Sequence, residues 1–189
     1  MKNENRKTEI INTASKLFKE KGYSAVTMRD LAKEMGIKAA SLYNHITSKQ
    51  EILSVLIISL AEEFTEGMTV IINSNNNCVE KLKQIINLHI TITSNNQFGM
   101  ASLNNDWMHL EATLSYYLEL RKNYEDNFRE IIKKGISNNE IINENAEVIV
   151  FSILSTLRSL YIWLPIKEEL NIFKLTKNLN NILLNGISK

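Results

Sequence analysis

The chain has 189 residues, 44 % of them hydrophobic, with one proline, six glycines and a formal net charge of +1. Those numbers allow a sizeable core, in one large domain or in a small one plus a larger one, and with no long alternating run they point to an all-α fold rather than a sheet. The polar start at Met1 to Glu9 does not read as a secretory signal, the single Cys78 excludes an intramolecular disulfide, and no apolar stretch is expected to reach the ~18 residues of a membrane span.

The most apolar run, Val148 to Pro165, is interrupted by Ser152, Ser155, Thr156, Arg158 and Ser159. A cytoplasmic protein without a membrane partner is therefore expected. The small net charge hides an asymmetry. Residues 1–53 carry ten Lys/Arg against six Asp/Glu, net +4, and the remainder twelve against fifteen, net −3. A basic front on an acidic body puts contact with a polyanion in the first quarter.

The first helix is predicted over about 7–21, with Ile10, Ala14, Leu17 and Phe18 on one face and Gly22 as its stop. Thr27-Met28-Arg29-Asp30 reads as a capping box that opens a second helix to about Met35. Gly36 then supplies a left-handed turn, and a third helix covers about Lys38 to His45 with Leu42 and Ile46 inward. Two short helices joined at a glycine have the form of a helix-turn-helix. Ser48-x-x-Glu51 is a second capping box and begins a long helix to about Ile72.

Asparagine-rich punctuation at 73–77, 94–97 and 137–139 separates further helices at about 79–93, 101–111, 113–134, 146–163 and 168–185. Gly135 is expected to end one and Pro165 another. The predicted organisation is a three-helix unit over 1–47, then a six-helix bundle over 48–189.

A helix that enters the DNA major groove must be slim, because the groove is about 12 Å wide. Ala39, Ala40 and Ser41 open the third helix with small side chains, and Asn44 is of the type that pairs with adenine. Lys38, Tyr43 and His45 are placed to reach phosphates. So are Lys49 and Thr27, each at a capped helix start whose amides favour an anion, with Arg29 beside Thr27. Alanine also serves helix propensity alone. The residues by themselves thus leave DNA binding open against an ordinary surface helix.

Ile10 to Leu53 resembles the DNA-binding domain of the TetR (tetracycline-repressor) family of bacterial transcription regulators. The resemblance is carried by Ala14-x-x-Leu17-Phe18-x-x-x-Gly22-Tyr23, Thr27-x-x-Asp30-Leu31-Ala32, Gly36-Ile37, Ser41-Leu42-Tyr43-x-His45-Ile46 and Ser48-Lys49-x-x-Leu53. It implies phosphate contacts from Thr27, Lys38, Tyr43, His45 and Lys49, and base contacts at Arg29, Ala39, Ala40, Ser41 and Asn44. Ile46 stands where the family usually has phenylalanine, a change expected to affect packing only.

The resemblance makes the rest of the chain an effector-binding and dimerisation body. Val148 to Trp163 is apolar nearly all round, as for a helix buried on both sides. Ser152, Ser155/Thr156 and Ser159 form a small-residue stripe. With Ile172, Leu175, Leu179, Ile182 and Leu183 of the last helix, they are the expected homodimer interface, two helices from each subunit. Arg121-Lys122-Asn123-Tyr124-Glu125 with Gly135, Leu160 to Pro165, and His89 are similar to a subgroup that responds to fatty acyl-CoA or related CoA thioesters. That likeness implies an apolar effector pocket using His89, Trp107, Tyr117, Arg121, Tyr124, Arg158, Tyr161 and Trp163. Aromatics at helical spacing equally make an ordinary core.

Two rival readings remain at this level. For an enzyme, His89, His109 and Glu111 are the acid–base or metal candidates, but His109 and Glu111 lie two apart and share no helix face. No metal-ligand spacing or phosphate-cradling glycine motif is present, and nothing in sequence activates Cys78. No catalysis, metal or cofactor is expected. The other rival, a coactivator of the same fold without DNA binding, conflicts with the intact 36–49 segment.

Overall fold

The computed structural model describes residues 2–166 and 171–186, and every regular element among them is helical. The described helices pack as two compact units. The first contains the described residues up to Ala61 together with Asn96–Leu118, and the second Glu62–Asn95 together with the described residues from Glu119 onward.

In the first unit, α1 (Lys2–Lys21) buries Ile10, Ala14, Leu17 and Phe18, the predicted stripe. The α2 helix (Met28–Glu34) has its capping box complete: Thr27 Oγ1 accepts from the Asp30 amide, and the Asp30 carboxylate accepts from the Thr27 amide at 2.9 Å. Gly36, with φ of 65°, turns the chain, and the Ile37 amide returns to the Ala32 carbonyl at 3.0 Å. The α3 helix is only Ala39–Leu42, one turn pinned by fully buried Leu42 and, just beyond it, Ile46.

The long α4 helix (Lys49–Asn73) gives its start to this unit. Its predicted capping box is half built: the Glu51 amide donates to Ser48 Oγ at 3.0 Å, but the Glu51 carboxylate goes to the Thr47 amide and to Lys7 Nζ, both at 2.7 Å. Those two partners hold the Glu51 carboxyl down at about 2. One acid thereby ties α1 to the α3–α4 turn. The helix expected over 101–111 is shorter. After α5 (Cys78–Asn95) come α6 (Gly99–Asn105) and two 3-10 turns, Trp107–His109 and Glu111–Thr113. Against α6 lies α1.

The second unit is centred on α5, which packs on α8 (Ala146–Arg158), α9 (Leu160–Trp163) and α10 (Ile172–Asn185). Ile85, Ile86 and Ile90 of α5 are fully buried, as are Phe128 and Ile132 of α7 (Leu114–Ser137). Each such side chain is worth about 1.5–3 kcal/mol of burial.

Three sequence expectations change here. Gly135 does not end α7, which continues to Ser137. It is there because α7 and the start of α5 come so close that a Cβ would lie 2.8 Å from Cys78 Cβ. The stretch Ala146–Ile166, 21 residues at mean hydropathy 1.6, is after all long and apolar enough to span a bilayer by length and composition. Its scattered serines lower its mean hydropathy without bringing it below that of a span. It is also not buried on both sides within one chain. Val150, Ile153, Leu154, Leu157, Leu160 and Leu164 are buried, whereas Val148, Phe151, Ser155, Thr156, Ile162 and Trp163 face outward.

Gly135→Ala is expected to destabilise the fold by about 1–3 kcal/mol through overpacking. Thermal melts check this. Most of the loss should be recovered in the Gly135→Ala/Cys78→Gly double variant, which removes the atoms the new methyl would strike.

Candidate nucleic-acid interface and effector region

The small residues of the candidate reading turn are presented as a narrow edge. Ala40 and Asn44 are exposed, Ala39 and Ser41 half-buried, and Tyr43 is 54 % exposed. Exposed Lys38 stands at the N-cap of α3 and exposed Arg29 on the first turn of α2. The Thr27 and Lys49 side chains make local bonds, and that of His45 makes none among the described residues. The Thr27 hydroxyl donates to Asp30 Oδ2 at 2.6 Å. His45 is half-buried, and its Nδ1 has no hydrogen-bond partner among the described residues.

Lys49, aimed at a phosphate in the sequence reading, donates to the Tyr23 and Val26 carbonyls at 2.9 and 2.8 Å, with its ammonium 4.3 Å from the Tyr23 ring centroid. Burial pushes its pKa down. Tyr23 itself donates to Gln50 Oε1 at 2.7 Å, and its ring lies 5.3 Å from that of His109. Lys49 and Gln50 therefore fasten the α1–α2 turn to the start of α4. No spacing rule connects positions 23, 26 and 49, so this knot had no signal in the sequence.

The residues expected around an effector divide. Trp107 and Tyr117 stack in the first unit, 5.9 Å apart, with the Tyr117 hydroxyl on the Leu103 carbonyl at 3.4 Å. His89 and Tyr124 meet inside the second unit, His89 Nε2 2.9 Å from the Tyr124 hydroxyl, beside Phe64 at 4.7 Å from the imidazole centroid. Burial, with the Arg158 charge, pushes the His89 pKa down to about 3, and burial pushes that of Tyr124 up.

Arg121 and Arg158 both bind Glu125, at 3.2 and 2.5 Å. Burial opposes the charge on Glu125, yet these bonds keep its pKa below the ordinary value. The sequence reading quoted Glu125 within the 121–125 stretch but gave it no role, although it lies four residues after Arg121 on one helix face. It also missed Thr93, four after His89, which is fully buried with a hydroxyl lacking a partner among the described residues.

Tyr161 is half-buried on α9. Trp163 is turned away from this cluster. It lines a surface groove of about 480 Å³ with Ser155, Thr156, Ser159, Leu160 and Leu179. Of the expected interface residues, Ser152, Thr156, Ser159, Ile172 and Ile182 are exposed and Leu179 and Leu183 half-buried. Leu175 is the buried residue of α10 and packs inward instead. Among the described residues no group of His, Cys, Asp and Glu is arranged to hold a metal. Burial raises the Cys78 thiol to about 11.

Comparison with known proteins decides the family. Residues 10–56 match the bacterial regulatory proteins of the tetR family, and residues 75–187 match the tetracyclin repressor-like C-terminal domain. The chain belongs to the TetR family.

Curated relatives include the HTH-type transcriptional repressor KstR2 of Rhodococcus jostii, 24 % identical over 133 residues, or 69 % of this chain and 65 % of that protein. The biofilm operon icaADBC HTH-type negative transcriptional regulator IcaR of Staphylococcus aureus is 35 % identical over 80 residues, 42 % of this chain and 43 % of the other. These matches thus span less than two thirds of either relative. Among solved TetR folds, the ketosteroid transcriptional regulator KstR2 of Mycobacterium tuberculosis superposes with a TM-score of 0.90 at 22 % identity, covering 97 % of this chain and 95 % of that one. PfmR of Thermus thermophilus gives 0.83 at 23 %, covering 95 % and 99 %.

Lys49→Ala is expected to lower the melting temperature, since the Tyr23 and Val26 carbonyls lose their common donor, while Lys38→Ala should leave stability within about 0.5 kcal/mol. In DNA titrations at several salt concentrations, Lys38→Ala should reduce the salt slope by about one unit. A similar loss of slope in Lys49→Ala is expected if Lys49 also reaches a phosphate, and an unchanged slope would confine it to its local bonds.

Proposed function

We propose that the protein is a transcriptional repressor that binds a near-palindromic operator as a homodimer and is released from it by a small, mainly apolar effector. The observation that carries the reading is the exposed, slim α3 turn: Ala39 and Ala40 flanked by Lys38, Arg29, Tyr43 and Asn44 and held from beneath by Leu42 and Ile46. The repressor relatives support the sign of regulation. Phosphate contacts by Lys38, Tyr43, Thr27 and His45 would fix position, and Ala39, Ala40, Ser41, Asn44 and Arg29 would read base edges.

Homodimerisation is supported by the outward face of α8, α9 and α10. Phe151, Ile162, Trp163, Ile172, Phe173 and Ile182 are exposed there around the stripe of Ser152, Thr156 and Ser159. The domain division that fits this reading is a DNA-binding part to residue 47 and an effector and dimer part beyond it, in the cytoplasm with the operator.

A two-fold dimer should set its recognition turns about one helical repeat, ~34–36 Å, apart on DNA. Gel shifts on the protein's own promoter region, at two salt concentrations, with light scattering at micromolar protein, test this. A shifted dimer is expected, and Ala40→Glu should abolish the shift by filling the groove with a negative charge while leaving the dimer intact. A monomer that shifts no promoter DNA overturns the proposal.

For the effector, acyl-CoA thioesters are the class proposed, on the likeness of 121–125 and 160–165 to the acyl-CoA-responsive subgroup. A hundredfold loss of DNA affinity requires about 2.7 kcal/mol of coupling, and DNA must weaken effector binding by the same factor. Medium- and long-chain acyl-CoAs titrated into the protein–operator complex should release DNA more effectively than free fatty acids. If no member of either series releases DNA or raises the melting temperature, the acyl-CoA assignment fails.

A further inference from the structure

We infer that the effector carries a carbonyl oxygen, and that His89 and Thr93 of α5 receive it together, with Tyr124 fixing the position of the histidine proton. The inference deepens the effector reading above and rests on it. His89 is 4 % exposed and Thr93 0 %, and neither His89 Nδ1 nor Thr93 Oγ1 has a hydrogen-bond partner among the described residues. Buried polar atoms are rarely left so. Two of them four residues apart lie on one face of the helix.

Thr93 differs from several hydroxyls on the described helices. Ser94, Ser152, Thr156, Ser159 and Thr176 each donate to the carbonyl four residues back, at 2.7–3.1 Å. A threonine in a helix has that bond within reach. Thr93 leaves it unmade and keeps its proton for something else.

The histidine supplies the second donor. Burial makes neutral imidazole the form present at neutral pH, with one N–H to place. Tyr124 is also buried, 2.9 Å from Nε2. When the phenol donates to Nε2, the imidazole proton sits on Nδ1. Thr93 O–H and His89 Nδ1–H are then two donors on one helix face, matched by the two lone pairs of a single carbonyl oxygen. Phe64, 4.7 Å from His89 and 6.0 Å from Tyr124 between ring centroids, gives an apolar wall for the chain attached to that carbonyl.

The test uses full-length protein without DNA, so that its failure is separable from a failure of operator binding. Probes come in matched sets: 2-decanone, 2-decanol and decane, then decanoyl-CoA and S-decyl-CoA, a thioether lacking the carbonyl. Binding is read by thermal shift and tryptophan fluorescence. The carbonyl member of at least one set should bind about tenfold tighter than its companions, and the set that responds tells a free ketone from a thioester.

Thr93→Val should raise the melting temperature of the unliganded protein, because an unpaired buried hydroxyl is gone, and should weaken that carbonyl probe about tenfold. Tyr124→Phe should weaken it similarly. The inference is overturned if no probe binds, if the carbonyl-free companions bind equally well, or if Thr93→Val lowers the melting temperature without changing affinity.

Discussion

The Lys49 ammonium is the point on which the helix-turn-helix unit depends. An amine withdrawn from water is costly unless its hydrogens find acceptors. Here they find the carbonyls of Tyr23 and Val26, and the charge lies over the Tyr23 ring. Those carbonyls belong to the turn between α1 and α2, and so to the segment that leads into the Thr27 cap. Glu51, near the same helix start, takes Lys7 and the Thr47 amide. Two charged side chains at the head of α4 therefore set both approaches to the reading turn, one from each end of the helix-turn-helix. The α3 helix itself, four residues long, is too short to hold its own direction.

Periodicity and caps carried most of the fold in the sequence. The α1 stripe, the Thr27–Asp30 box, the turn at Gly36 and the asparagine punctuation are local, and local rules read them. What escaped was non-local. Gly135 looked like a helix stop because glycine often is one, and only the approach of Cys78 reveals it as a spacer. Ser48-x-x-Glu51 looked like a reciprocal box, but Lys7, 44 residues away, competes for the acid. Among the aromatics expected around an effector, content was legible and partition was not. The sequence cannot tell that Trp107 and Tyr117 pair in one unit while His89 and Tyr124 pair in the other.

The His89–Tyr124–Phe64 cluster and the Glu125 clamp show two ways of treating polarity in one helical unit. Glu125 is satisfied twice over, by arginines from α7 and α8, and stays ionised despite its partial burial. His89 is satisfied once and is kept neutral. The first arrangement braces two helices against each other. The second leaves hydrogen-bonding capacity unspent in the interior, which a folded chain tolerates only at a cost in stability.

The outward face of α8 has a further property. Ser152, Thr156 and Ser159 have already returned their hydroxyl protons to carbonyls of their own helix. The stripe is therefore polar in composition and close to mute in hydrogen bonding. Any surface laid against it is registered by contour, since few directional bonds are left to reward one alignment over another. Discrimination between this chain and another with a similar stripe then falls to the bulky side chains beside the stripe, Phe151 and Trp163. On the homodimer proposed above, subunit identity on this face would be a matter of fit, and one substitution at either position would change which chains could share it.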